Sequence, residues 1–184
     1  MKKLLFILFT YTLTISGCSI LQEDKTFNLS QQEITSILND ACTIKRDKRQ
    51  RYKIDGKRYR TLSSSRGYKK RGTASWYGSD FDGKQTACGE EYDMYDFTAA
   101  HKTLPLPSYV KVQNLTNGKT VIVKVNDRGP FIDDRLIDLS YAAAKKIDML
   151  ESGTSPVRIY TVSEAEAANF FKENDKSIFS LSLF

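Results

Sequence analysis

One histidine, one tryptophan and three cysteines are all that 184 residues supply of those types. With a single histidine and no Cys/His cluster at ligand spacing, a zinc site has nothing to be built from. Neither a metal nor any other cofactor is expected. Long apolar runs are missing too. The densest, Leu4 to Phe9, falls far below the roughly 20 residues of a membrane-spanning helix. No internal repeat or low-complexity stretch stands out. The length leaves room for one domain of about 100–150 residues with short additions, which excludes a large multidomain enzyme. Apolar residues, at 40%, and aromatic ones, at 11%, are not scarce. They suffice for a core, so wholesale disorder is excluded.

A formal charge of +6 and a pI near 9.1 invite a nucleic-acid reading. Its distribution argues otherwise. Residues 45–71 hold 13 Lys/Arg against two acids, whereas residues 72–184 hold 12 against 16. The basicity belongs to one short segment and the domain beyond it is slightly acidic, so no nucleic-acid partner is expected. The basic segment has little apolar periodicity and contains Ser63-Ser64-Ser65. It reads as a solvated spacer, or as an electrostatic contact to anionic lipid heads or wall polymer.

The N-terminus reads as an address. Lys2 and Lys3 precede a short apolar run, and Ile15-Ser16-Gly17-Cys18 ends it. This is a secretory signal whose last four residues resemble a bacterial lipobox. By that resemblance the leader, residues 1–17, is removed and Cys18 becomes an acylated first residue held in a membrane. More than one acyl chain gives durable anchoring, at about 0.8 kcal/mol per buried CH₂. Ser19 stands where an Asp would resemble an inner-membrane retention signal, so the expected location is the periplasmic face of the outer membrane. Cys42 and Cys88 remain, an even pair in an oxidising compartment. They are candidates for one disulfide; the plainer reading is two thiols, with Cys88 buried as a small apolar residue.

Ser30 and Glu33 have capping-box spacing, and Leu29 with Ile34 has staple spacing. Ile34, Ile37, Leu38 and Ala41 then share a face, which predicts a helix over about 31–41. From Gly72 the pattern turns to strands: 73–77, 109–113, 121–125, 136–139 and 157–162. Asn117-Gly118 lies between the second and third and suits the positive φ values of a type I′ turn. Ser140 caps a short helix from Tyr141 to about Leu150. A last helix is expected over 164–174, with Ala165, Ala168 and Phe171 on one side. Many short strands and one or two helices make the chain mainly β and point to a small closed barrel, which removes exposed edges.

Candidate chemistry lies where polar residues punctuate strands. Asp127 sits at the end of an apolar strand, beside the Gly129-Pro130 breaker. A partly desolvated carboxyl there has its pKa raised toward use as a general acid; the alternative is an Asp that bonds its own turn. Glu90 carries the same ambiguity. His101, the sole His, reads as a structural hydrogen-bonder or a catalyst. Asp138, an acid among apolar neighbours, needs backbone N–H groups or an arginine, Arg128 or Arg135, as partners. Trp76, Tyr77, Phe81, Tyr92, Tyr95 and Phe97 surround these positions. Aromatic faces stack on sugar rings, though any single one is as readily core. With two carboxyl groups on a secreted protein, they point to a polysaccharide.

Five stretches carry a resemblance: Gly72-Thr73-Ala74-Ser75-Trp76-Tyr77-Gly78, Thr86-Ala87-Cys88-Gly89-Glu90, Thr98-Ala99-Ala100-His101-Lys102-Thr103-Leu104-Pro105, Val125-Asn126-Asp127-Arg128-Gly129-Pro130-Phe131 and Ile137-Asp138-Leu139-Ser140-Tyr141-Ala142-Ala143-Ala144. In this order and at these spacings they resemble the rare lipoprotein A family. The resemblance implies a six-stranded double-psi β-barrel over residues 72–162, preceded by a lipid-anchored segment, 18–71, and followed by a tail, 163–184. It implies a monomeric lytic transglycosylase acting on peptidoglycan glycan strands, preferably those stripped of stem peptides, and cutting the MurNAc–GlcNAc β-1,4 bond to leave 1,6-anhydro ends. The family's active-site positions fall on Asp127, Glu90 and His101. Asp127 is assigned as acid and then base, Glu90 as electrostatic support, and His101 as a partner for a sugar hydroxyl, with the acid role exchangeable between Asp127 and Glu90. Trp76, Tyr77, Arg128 and Asp138 are expected to contact the glycan. Expansins share the fold, and there the Asp of an Asp-Leu pair matters, which keeps Asp138 in view.

Two departures stand out. Cys88 holds a position commonly Asn in the family, which favours a local disulfide. The 22 residues after Val162 are too few for the C-terminal glycan-binding domain of larger members, so septal targeting by that route is not expected. The rivals are an expansin-like binding module and a hydrolase using Glu90 and Asp127 with water.

Overall fold

The computed structural model describes residues 29–38, 42 and 51–174. Cys18, the expected lipid-bearing residue, lies outside them. Helix α1 (Gln31–Ile37) starts at a full capping box: Ser30 Oγ accepts from Glu33 N, and the Glu33 carboxylate accepts from Ser30 N at 2.9 Å. Ile34 is its buried residue, and the helix packs against α3 (Glu164–Asn174) at the other end of the chain.

The spacer reading fails over residues 51–60. They form a hairpin, β1 (Arg51–Ile54) with β2 (Lys57–Arg60), turning at Asp55-Gly56 with φ values of 47° and 80°. Two positive φ values are what a two-residue turn between twisted strands requires. Its Tyr52 and Tyr59 are opposed in register and stacked, centroids 5.2 Å apart, and both pack on Phe131.

Six further strands close into a barrel: β3 (Lys69–Trp76), β4 (Thr98–His101), β5 (Ser108–Asn114), β6 (Thr120–Asp127), β7 (Ile137–Leu139) and β8 (Thr154–Thr161). Their spatial order is β3-β7-β4-β6-β5-β8. The β3/β7 and β4/β6 pairs are parallel; the other four are antiparallel. Alternation explains the filling. Val121, Val123 and Val125 of β6 point inward with Val110 and Val112 of β5, and all are fully buried or nearly so. Burying each such side chain contributes about 1.5–3 kcal/mol. Ile122, on the opposite face of β6, joins Tyr109 and Ala167 in a second cluster beneath α3. Gly72 is required by a close approach: a Cβ there would lie 2.8 Å from Leu136 Cβ.

The barrel begins at Lys69 rather than Gly72. Helix α2 (Tyr141–Lys146) is capped by Ser140 but ends earlier than expected, with Asp148 in a left-handed conformation, φ 50°. The β5–β6 loop is five residues long, and only Gly118 within it has positive φ, so it is not a type I′ turn. Asn117 instead bonds outward to Ile147 O. On α3 the buried residues are Ala167 and Ala168, with Phe170 and Phe171 beside them; Ala165 is exposed. No helix among the described residues is long and apolar enough to cross a membrane.

Candidate active site

Asp127 ends β6 at an irregularity. In the parallel pairing with β4, Ala99 lies opposite Val125 and Ala100 opposite Asp127, so Asn126 is an extra residue. Such bulges re-aim side chains and gather beside active sites. Asp127 Oδ1 accepts two backbone N–H groups, from Arg128 and from Ala87, both at 2.8 Å. Oδ2 makes no hydrogen bond among the described residues. Burial pushes this carboxyl above its ordinary range, and the Ala87 and Arg128 donors offset only part of that rise.

The second acid arrives on the loop that supplies the Ala87 N–H. Thr86 N donates to Glu90 O at 2.8 Å and Gly89, at φ 88°, turns the chain between them. Cys88 N donates to Asn126 O at 3.1 Å and fastens the loop to β6. The loop is fastened again by a disulfide from Cys88 to Cys42, Cα atoms 5.0 Å apart. Glu90 Oε1 accepts from the Lys124 ammonium at 2.5 Å, and Oε2 accepts from Asn126 Nδ2 at 2.7 Å. Lys124 and Asn126 stand two apart on a strand, so they reach the same side of it. That i, i+2 spacing on a strand is the sequence signal that points to both as partners for an acid.

His101, on β4, is 2% exposed. Its Nδ1 accepts from Thr103 N and Leu104 N at 3.1 and 3.0 Å. Two backbone donors on Nδ1 assign the proton to Nε2, which donates to Tyr68 Oη at 3.1 Å. Burial first, then the charges of Arg128, Lys70 and Lys102, push the imidazole down to about 3. His101 is therefore a neutral strut with both nitrogens engaged inside the protein, and it is not placed to bond a sugar hydroxyl. Nothing in the sequence pointed to Tyr68, which sits in the basic segment.

Arg128 joins these parts. Its guanidinium donates to Leu104 O at 2.6 Å and His101 O at 3.2 Å, and lies 5.9 Å from the Tyr52 ring centre. Tyr52 Oη donates to Lys102 O at 2.5 Å. The basic hairpin is thereby fixed beside the strand end that carries Asp127.

Asp138 is held differently. Ser75 Oγ donates to its Oδ1 at 2.6 Å, and Arg135 approaches Oδ2 at 3.6 Å while also bonding Ser75. Burial raises its pKa as well. Tyr77, expected to stack on sugar, turns its hydroxyl inward and its ring onto Tyr92 at 4.5 Å; burial drives its phenol far up, and both Asp127 and Asp138 add to that. Trp76 packs against the core and meets Tyr141 edge-on at 5.9 Å. Among the described residues the open aromatics are Phe81 and Tyr95, each 52% exposed. A recess of about 580 Å³ between α1, α3 and the barrel is lined by Tyr95, Phe97 and Lys124, among others. The described residues bring no three His, Cys, Asp or Glu side chains together at a metal-binding distance.

A family model described as "Lytic transglycolase" matches residues 69–159, the span from the first barrel strand into the last. The chain belongs to the rare lipoprotein A family. It is 61% identical over 108 residues to "Endolytic peptidoglycan transglycosylase RlpA" of Pseudomonas aeruginosa (strain UCBPP-PA14), covering 59% of this chain and 32% of that protein. The protein of that name from Vibrio cholerae serotype O1 is 57% identical over 112 residues, 61% of this chain and 43% of its own. The one from Neisseria meningitidis serogroup A is 50% identical over 124 residues, 67% of this chain and 52% of its own. The chain thus spans about a third to a half of these rare lipoprotein A relatives.

Proposed function

We propose that this chain is an endolytic lytic transglycosylase of peptidoglycan glycan strands, with Asp127 as the acid that becomes the base. The observation that carries this is the state of the Asp127 carboxyl: one oxygen clamped by two backbone N–H groups, the other without a hydrogen bond among the described residues, and the whole group kept above the ordinary carboxylate range by burial. A protonated Oδ2 gives its proton to the leaving O4 of GlcNAc as the C1–O4 bond of MurNAc breaks. The 6-hydroxyl of the same MurNAc attacks C1 and returns its proton to Asp127. No water is consumed, so one carboxyl group completes the cycle. Both oxygens of Glu90 already accept, one from an ammonium, so the acid role goes to Asp127. Glu90 serves as fixed negative charge near an oxocarbenium-like centre. Arg128 and His101 hold the strand end in place, and the relatives' names agree in reaction and substrate.

A second reading has one observation behind it. Asp127 Oδ1 spans its own turn and the neighbouring loop, as an acid kept only for shape would. On that reading the barrel grips glycan without cutting it. Mass analysis of purified glycan strands after incubation separates the two. Anhydro ends, lighter by one water than hydrolysis products, support the lyase. Intact strands bound to the protein support the module, and reducing ends with added water would show a hydrolase. The rest of the proposal follows the sequence: residues 1–17 are a leader, Cys18 bears the lipid, and the barrel works as a monomer at the periplasmic face of the outer membrane.

A further inference from the structure

The β1–β2 hairpin has two unlike faces. Tyr52, Ile54 and Tyr59 look toward the barrel and are half-buried; Arg51, Lys53, Arg58 and Arg60 are exposed. The register places Arg51 opposite Arg60 and Lys53 opposite Arg58, so the four cations share the outer face as two directly opposed like-charge pairs. Opposed like charges destabilise a ribbon, and a two-stranded hairpin has little stability to spare. None of the four forms an ion pair among the described residues. The same sign continues toward the site. Burial first, then the charges of Lys57 and Lys70, depress Lys102, and after burial the charges of Arg128, Lys70 and Lys102 add to the lowering of His101.

We propose that the outer face of this hairpin binds carboxylates of the glycan strand, namely the lactyl carboxylates of peptide-free muramoyl residues lying outside the reacting pair. The proposal rests on the glycan-cleaving reading above and extends it to how the strand is chosen. A muramoyl residue without its stem peptide exposes one free carboxylate on every second sugar, which gives a polyanion of regular spacing. The ribbon sets the Cα atoms that bear the cations about 5 Å apart across the strands and about 7 Å apart along them. A bilayer would meet these charges as well. A patch meant for lipid, however, needs no fixed position relative to the reacting acid, and this one has it. The inner face is seated on Phe131 of the loop following Asp127, at 5.4 and 6.2 Å, under Arg128, and is tied by Tyr52 to Lys102 O and by Leu62 N to Thr103 O.

The test uses the full chain with Asp127→Asn, so that binding is read without turnover, and peptide-free strands as probe. Adding Arg51→Gln, Lys53→Gln, Arg58→Gln and Arg60→Gln together should weaken binding at low salt by about tenfold or more, and should flatten its salt dependence. Strands whose lactyl carboxyl groups have been reduced to alcohols should bind the parent as weakly as native strands bind the quadruple variant. In the active chain the loss should fall on KM. All four residues are exposed, so the melting temperature should hold or rise; if the quadruple variant fails to fold, Arg51→Gln with Arg60→Gln gives the same comparison. Equal binding of native strands by parent and variant overturns the proposal, as does equal binding of native and reduced strands by the parent. A charge-dependent loss on phosphatidylglycerol vesicles without one on strands also overturns it, in favour of a membrane contact. Cleavage is measured separately, so failure of the lyase reading and failure of the hairpin reading remain distinguishable.

Discussion

Asp127 and Asp138 stand eleven residues apart in the chain, on β6 and β7, the two strands that flank β4 in the barrel, and burial raises both. Their partners differ. Asp138 accepts from a hydroxyl and faces a guanidinium, so both oxygens are accounted for by side chains. Among the described residues Asp127 has only backbone N–H donors, on one oxygen. Side-chain partners satisfy a buried carboxyl by engaging all of it. Backbone donors on one oxygen hold the group in place and leave the other able to carry a proton. Burial raises both acids, and the second oxygen tells them apart.

Exchanging the acids for amides breaks or sharpens that contrast most directly. Asp127→Asn should keep the fold and lose at least about 10²-fold in turnover, the scale of a lost general acid. Asp138→Asn should lose less than about tenfold and should instead lower the melting temperature, because Arg135 is left without its carboxylate. Equal losses of turnover on strand digestion would erase the distinction. The next effect concerns the loop that clamps Asp127. Cys42→Ser with Cys88→Ser should cost about 2–4 kcal/mol in denaturant unfolding. Turnover should also fall, because the Ala87 donor and Glu90 ride on that loop. Two thiols alkylated under non-reducing conditions would show that the bond does not form.

The pH dependence sharpens it further. Asp127 works protonated and its pKa is raised, so turnover should fall as pH rises through a value above the usual carboxylate range. A neutral His101 should add no inflection between pH 5 and 8. Its own signature is in stability. In the unfolded chain it binds a proton below about pH 6.5, while in the fold it does so only below about 3. Stability should therefore decline as pH falls between those values. His101→Asn, which keeps an acceptor for Thr103 and Leu104, should flatten that decline. The smallest expected change is Gly72→Ala, whose Cβ meets Leu136 at 2.8 Å. It should lower stability by about 1–3 kcal/mol while leaving Asp127 chemistry intact.

How far the sequence foretold this depends on where each signal resided. The α1 cap, the 164–174 helix and the β5–β6 pair were legible because capping spacing and strict alternation are local. The hairpin was not, since five cations with Asp55 and Gly56 hid an inward row of only Tyr52, Ile54 and Tyr59. Asp55-Gly56 was the overlooked sign. Strand β4 escaped because all four of its residues are buried, and a strand covered on both faces does not alternate. Within the site, Asp127, Glu90 and Arg128 were identifiable by type and position. The inward turn of His101 was not, because it depends on Tyr68, 33 residues away.

The docking of α1 on α3 and the bond from Cys42 to the Glu90 loop change what tethers the barrel. If Cys18 carries the lipid, the leash is the chain from there to Leu29, eleven residues, and not the whole stretch to Gly72. Fully stretched, eleven residues reach about 40 Å. The working radius of the barrel is then set by that short lead, and lengthening or shortening it would move the band of wall within reach without touching a single atom of the reacting centre.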